Sequence, residues 1–183
     1  MYKSLQPISR DKLRLIAKTF KSHLGFDGIF IDVPRFLEVT QHEYPDLDVE
    51  IVENHELPPK VFAEFIPSYS RVSNKPLIKI KEYVYDNACN PLSRSYGRDR
   101  MNIVHEIAHF ILIDIFKIDV LEHHESGISN LANSVEWQAM ALAGEIMIPF
   151  EETIGIENEI ELAKKCGVSK IAANYRIKKY KKE

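Results

Sequence analysis

The stretch that most constrains this chain is His105-Glu106-Ile107-Ala108-His109, set inside the apolar run from Ile103 to Phe116. Ile103, Val104, Ile107, Ala108, Ile111, Leu112 and Ile115 cover most of a helix circumference. A helix that is apolar nearly all round is a buried one. The segment from Arg98 to Lys117 is therefore expected to be a helix that carries two histidines and a glutamate into or beside the core. Histidines four apart stand one above the other on the same helix face. Unpaired polar groups there are costly unless something compensates them. A single zinc ion held by both imidazoles is one such compensation, and Glu106 between them can reach a water at the metal. The competing reading is a pair of hydrogen-bonded core histidines.

A zinc site needs a third protein ligand. A histidine six residues after His109 is one known solution, but that position is Ile115. The next helical segment, Asn133 to Pro149, offers Glu136 beside an apolar stripe of Val135, Ala139, Leu142, Ala143 and Ile146. A carboxylate near a helix start also gains from the macrodipole. Two histidines, one glutamate and a water make an open, catalytic arrangement. The same position equally suits a solvated first-turn glutamate.

H-E-I-A-H followed by E-W-Q-A-x-x-L-A-G-E-I-M-I-P resembles the ImmA/IrrE family of zinc metallo-endopeptidases. The resemblance covers most of the chain, including a V-S-x-x-A-x-x-x-R-I tail, and Arg100 falls where the family often has arginine. It implies an α+β, zincin-like fold with a small three-stranded sheet packed on helices. It implies one Zn2+ on His105, His109 and Glu136, with Glu106 as general base. It further implies cleavage of a regulatory protein, a helix-turn-helix repressor of a mobile genetic element. Met140 departs from the pattern, standing where the family usually has asparagine. A polar group there could support a zinc ligand from outside.

Elsewhere, Ser9 is expected to cap a helix to about Leu24, with Leu13, Ile16, Ala17, Phe20 and Leu24 on one face and Gly25 ending it. Pro34 opens a shorter helix to about His42. Strands are expected over Leu47–Val52, Val61–Phe65 and Leu77–Tyr85, the last for its β-branched and aromatic bias. Pro67 to Pro76 reads as a turn region and Asn87 to Gly97 as a loop. The segment Asp119 to Asn130 joins the two candidate metal helices and carries His123 and His124, read as exposed loop histidines or as further site groups. Tyr83, Tyr85 and Tyr96 are packing residues or donors to a reacting oxygen.

At 183 residues, the chain is expected to be one metallopeptidase domain with a basic helical tail from about residue 160 packed on it. In the tail, Gly167-Val168-Ser169 reads as a turn before a helix capped by Ser169. This helix either packs Ile171, Ala172, Tyr175 and Ile177 on the body or contacts DNA or an acidic partner through its lysines. The net charge of −3 argues against a general nucleic-acid-coating role. Cys89 and Cys166 are too few for a disulfide framework and are read as free thiols. No apolar stretch reaches membrane-spanning length and the N-terminus has no signal-peptide hydrophobic region, so the expected compartment is the cytoplasm. The alternative to a peptidase is a non-catalytic or latent regulatory or toxin-antitoxin partner that binds protein or DNA and keeps a relic metal site.

Overall fold

The structure, a computed structural model, describes residues 2–4, 7–117, 120–122 and 134–181. The first helix, α1 (Arg10–His23), begins where expected: the Ser9 hydroxyl accepts from the Lys12 N–H at 3.4 Å. Leu13, Ala17, Phe20 and Leu24 are buried. Gly25 then takes a φ of +78°, a conformation that suits glycine. Helix α2 (Val33–Glu43) starts on Asp32, whose carboxylate accepts from the Arg35 N–H. Pro34 sits in its first turn, where a missing N–H breaks no helix bond.

Three strands follow: β2 (Asp48–Val52), β3 (Ala63–Ile66) and β4 (Leu77–Lys81). Their order is β2-β4-β3, with β4 in the centre, parallel to β2 and antiparallel to β3. Leu77, Ile78 and Ile80 are buried, as suits a central strand covered on both faces. A second, two-stranded pairing joins β1 (Tyr2–Ser4) to β5 (Val120–Glu122) in antiparallel register. That pairing was not expected from the sequence.

The third strand ends earlier than its composition suggests. Residues Glu82–Cys89 form a helix, α3, so the expected strand to Tyr85 is corrected to one ending at Lys81. The period-2 pattern of Ile78 and Ile80 stops there. Val84 and Ala88, four apart, are buried instead, which is helical spacing. The loop expected over 87–97 shrinks accordingly to the residues between α3 and α4 (Tyr96–Phe110).

Helix α4 holds the histidine motif and passes directly into one π-helical turn, Ile111–Ile115. There the Phe116 N–H bonds to the Ile111 carbonyl at 2.9 Å. The wider turn re-aims the side chains after His109. Helix α5 (Val135–Met147) starts on Ser134, whose hydroxyl accepts from the Trp137 N–H at 3.0 Å. Short helix α6 (Phe150–Thr153) leads to α7 (Glu159–Cys166) and α8 (Lys170–Tyr180), the last capped by Ser169 as expected.

The turn between α7 and α8 rests on the start of α4. A Cβ added to Gly97 would lie 2.4 Å from the backbone of Val168 and Ser169. Helix α8 does pack on the body, but through Ala173, Arg176 and Ile177 rather than Ile171 and Tyr175, which are 83% and 63% exposed. The reason is electrostatic. Buried Arg176 pairs with buried Glu145 of α5 and donates to the Ile148 carbonyl at 3.0 Å. Arg10 of α1 reaches the same carboxylate at 3.0 Å. One buried cluster of apolar side chains draws on α1, α2, α4, α5, α7, α8 and the sheet. Eight helices and the three-stranded sheet, among the described residues, give an α+β architecture. No described helix is long and apolar enough to cross a membrane.

Candidate metal centre

Helix α4 sets His105 and His109 one turn apart with their Nε2 atoms 3.1 Å from each other. Glu136, in the first turn of α5, closes the set. Its Oε2 lies 3.4 Å from His105 Nε2 and its Oε1 lies 3.4 Å from His109 Nε2. Three tetrahedral ligands of a zinc ion at about 2.05 Å stand about 3.3 Å from one another. The distance between the two nitrogens, and that from each nitrogen to one of the two Glu136 oxygens, are of that size, each imidazole facing a different oxygen, so the donor set present fits such an ion. Among the described residues, these three form the one His, Cys, Asp and Glu group close enough to share a metal.

The electrostatics suit a cation as well. Burial pushes the His109 pKa below the ordinary imidazole value, against the opposing pull of Glu136. The ring is thereby kept in the neutral form that binds metals. Contacts from His105 and then His109 hold the Glu136 carboxyl far below the usual carboxylate range, so it stays an anion. Both imidazoles are largely enclosed, while the Glu136 side chain is 51% exposed. The group therefore opens to solvent on the α5 side.

Glu106 is buried and is not one of the three grouped side chains. Its Oε2 accepts from the backbone N–H of Phe65 at 2.8 Å. Burial raises its pKa to about 7, offset in part by His105 and by the Phe65 N–H. A carboxyl in that range can both take up and release a proton near neutrality. The Phe65 ring also lies parallel to the His109 ring, with centroids 6.3 Å apart.

Strand β3 is the edge that meets these groups. The Phe62 carbonyl accepts from Lys81 on the β4 side. Alternation then points the backbone groups of Glu64 towards β4 and those of Ala63 and Phe65 away from it. Just beyond, Asp114 in the π-helical turn accepts from the Ser68 hydroxyl and from the Ser68 N–H at 3.3 Å. Sequence reasoning missed this clamp, although an aspartate within Ile-Leu-Ile-Asp-Ile was a visible signal. It also missed the Phe65 N–H, which no side-chain pattern can reveal.

Other sequence candidates go elsewhere. Tyr96 starts α4 and binds Arg100, whose guanidinium also donates to the Ile31 carbonyl and lies 4.4 Å from the centroid of the Phe30 ring. Tyr83 and Tyr85 are helix residues packed against the core. Met140 is 56% exposed. His123 and His124 lie outside the described residues. A cavity of about 540 Å³ between α1 and α6, lined by Lys21, Phe26 and Glu152 among others, includes none of the three metal-facing side chains.

Residues 90–178 match the family model described as IrrE N-terminal-like domain, of peptidase family M78. No curated protein and no solved structure gave a significant match. The matched segment contains His105, Glu106, His109 and Glu136, and the match supports an ImmA/IrrE-type metallopeptidase family.

Proposed function

We propose that the chain is a zinc-dependent endopeptidase acting on another protein, with one ion on His105, His109 and Glu136. The α+β layout fits a zincin-like fold in which α4 is the active-site helix. The observation that carries the reading is the convergence of two Nε2 atoms and the Glu136 carboxylate from two helices, each imidazole 3.4 Å from one carboxylate oxygen. Zinc bound there would polarise the scissile carbonyl and make a water acidic enough to react near neutrality.

Glu106 accepts the proton of the attacking water and later delivers it to the leaving nitrogen. The Phe65 N–H steadies that carboxylate through one oxygen. An extended substrate segment would pair with the outward edge of β3, which presents Ala63. Family resemblance suggests a regulatory protein as the substrate, a helix-turn-helix repressor of a mobile element. On this reading the chain works in the cytoplasm, as one metallopeptidase unit with α7 and α8 packed on it.

The test is to incubate the purified protein with the repressor encoded beside its gene, with and without a chelator. Fragments that disappear with chelator support the peptidase. A stable uncut complex contradicts it and favours the non-catalytic partner.

A further inference from the structure

We infer that Asp114 is a positioning residue: by holding Ser68 it seats strand β3 so that the Phe65 N–H stays on Glu106. The consequence for catalysis rests on the peptidase role proposed above; the clamp itself rests on geometry. The Asp114 side chain is only 6% exposed, and a carboxylate taken out of water needs partners. Ser68 supplies two, donating from its hydroxyl and, at 3.3 Å, from its N–H. Lys117, 3.4 Å away, is 71% exposed, and an ion pair that stands in water holds little. The π-helical turn gives Asp114 its aim. In an unbroken α-helix, residue 114 would stand about 80° round the axis from residue 106. A turn closed by i→i+5 bonds takes less rotation per residue, and the carboxylate meets Ser68 at the start of the 3₁₀ turn that follows β3.

Strand β3 needs such a post. It is four residues long and lies at the edge of its sheet, paired with β4 on one side only. That pairing ends at Ile66, and Pro67, next in the chain, has no N–H to donate. Two carboxylates reach the strand and its exit: Glu106 takes the Phe65 N–H at 2.8 Å, and Asp114 takes Ser68 three residues later. Their duties differ. Glu106 has a proton to move and holds Phe65 by a single bond. Asp114 lies outside the group of metal-facing side chains and is free to act as a fixed anchor. The Phe65 ring lies parallel to that of His109 and 6.3 Å from that of Phe110. A shift of the chain at Ser68 is therefore passed to the one N–H that orients the Glu106 carboxylate.

The experiment compares wild type, Ser68→Ala, Asp114→Ala and the double variant, with zinc in excess. It reads hydrogen exchange of the Phe65 amide by NMR, and kcat on the repressor encoded beside the gene. In Asp114→Ala the Phe65 amide should exchange about 10-fold faster or more, while the amides of β4 keep their rates. Ser68→Ala keeps the Ser68 N–H, so its effect should be smaller. Adding it to Asp114→Ala should change nothing further, because both act through one contact. In Asp114→Ala, kcat should fall by about 10–100-fold. A purely structural role would lower the urea midpoint and leave Phe65 exchange and kcat of the folded protein at wild-type values; that result, or losses that add in the double variant, overturns the inference. Should Asp114→Ala fail to fold, Ser68→Ala decides, and wild-type exchange at Phe65 in that variant overturns it. A wild type that cuts nothing contradicts the peptidase role instead, and the Phe65 exchange rates then decide the clamp by themselves.

Discussion

The Phe65 N–H donates to Glu106 Oε2 across 2.8 Å, joining the edge of the sheet to the middle of the histidine helix. The bond takes nothing from the sheet, because this N–H points away from β4. A few residues on, Ser68 binds Asp114 in the π-helical turn. Strand β3 is thus fastened to the helix on both sides of the position where Phe65 stacks on His109.

Glu106→Gln should reduce peptide hydrolysis by about 10²–10⁴-fold and leave metal content unchanged. The glutamine oxygen can still accept from Phe65, so the helix and strand remain in place. Cleavage is read from substrate fragments on a gel, and zinc by elemental analysis. Normal cleavage by this variant would remove Glu106 as the proton carrier.

Glu145→Ala should destabilise the fold by about 3–5 kcal/mol, because it leaves the buried Arg176 without its carboxylate. A fall in the urea midpoint of unfolding checks this. An unchanged midpoint would mean that α8 is held by its apolar contacts alone.

The Cys166 thiol is pushed from its ordinary 9.0 up to about 11 by burial, against the pull of Lys21, Arg100 and Arg176. Below pH 9 the thiol is protonated in the folded and unfolded chains alike, and its contribution is fully present. Between pH 9 and 11 the unfolded chain releases the proton first, so stability falls by about 2–3 kcal/mol. Unfolding curves across that range should show the loss in wild type and a smaller one in Cys166→Ala. Equal losses in the two proteins would place the titration elsewhere.

Signals that live in side-chain type and spacing were legible. Ser9, Ser134 and Ser169 cap helices because hydroxyls meet free N–H groups there. Spacing put His105 and His109 on one helix face, while Glu136 was told from a solvated first-turn glutamate only by the family resemblance. Residues 82–89 misled because Tyr83 and Tyr85 mimic a strand, while the spacing of Val84 and Ala88 favours a helix. Ala172 and Ile177 of α8 pack on the body as expected, but Ile171 and Tyr175 stay exposed because Arg176 takes the inward place to reach its buried partner. That partner, Glu145, becomes visible only once α5 and α8 are adjacent. The hold of Phe65 on Glu106 uses backbone, and backbone leaves no mark in composition.

The most direct measurement is a cobalt titration of the metal-free protein, followed in the visible spectrum. Two nitrogens, one carboxylate oxygen and a water should give the intense bands of a four-coordinate ion, saturating at one ion per chain. The bands should be absent in His105→Ala, His109→Ala and Glu136→Ala. Intense bands that persist in the Glu136 variant, or their absence from wild type, would contradict a centre built from these three side chains.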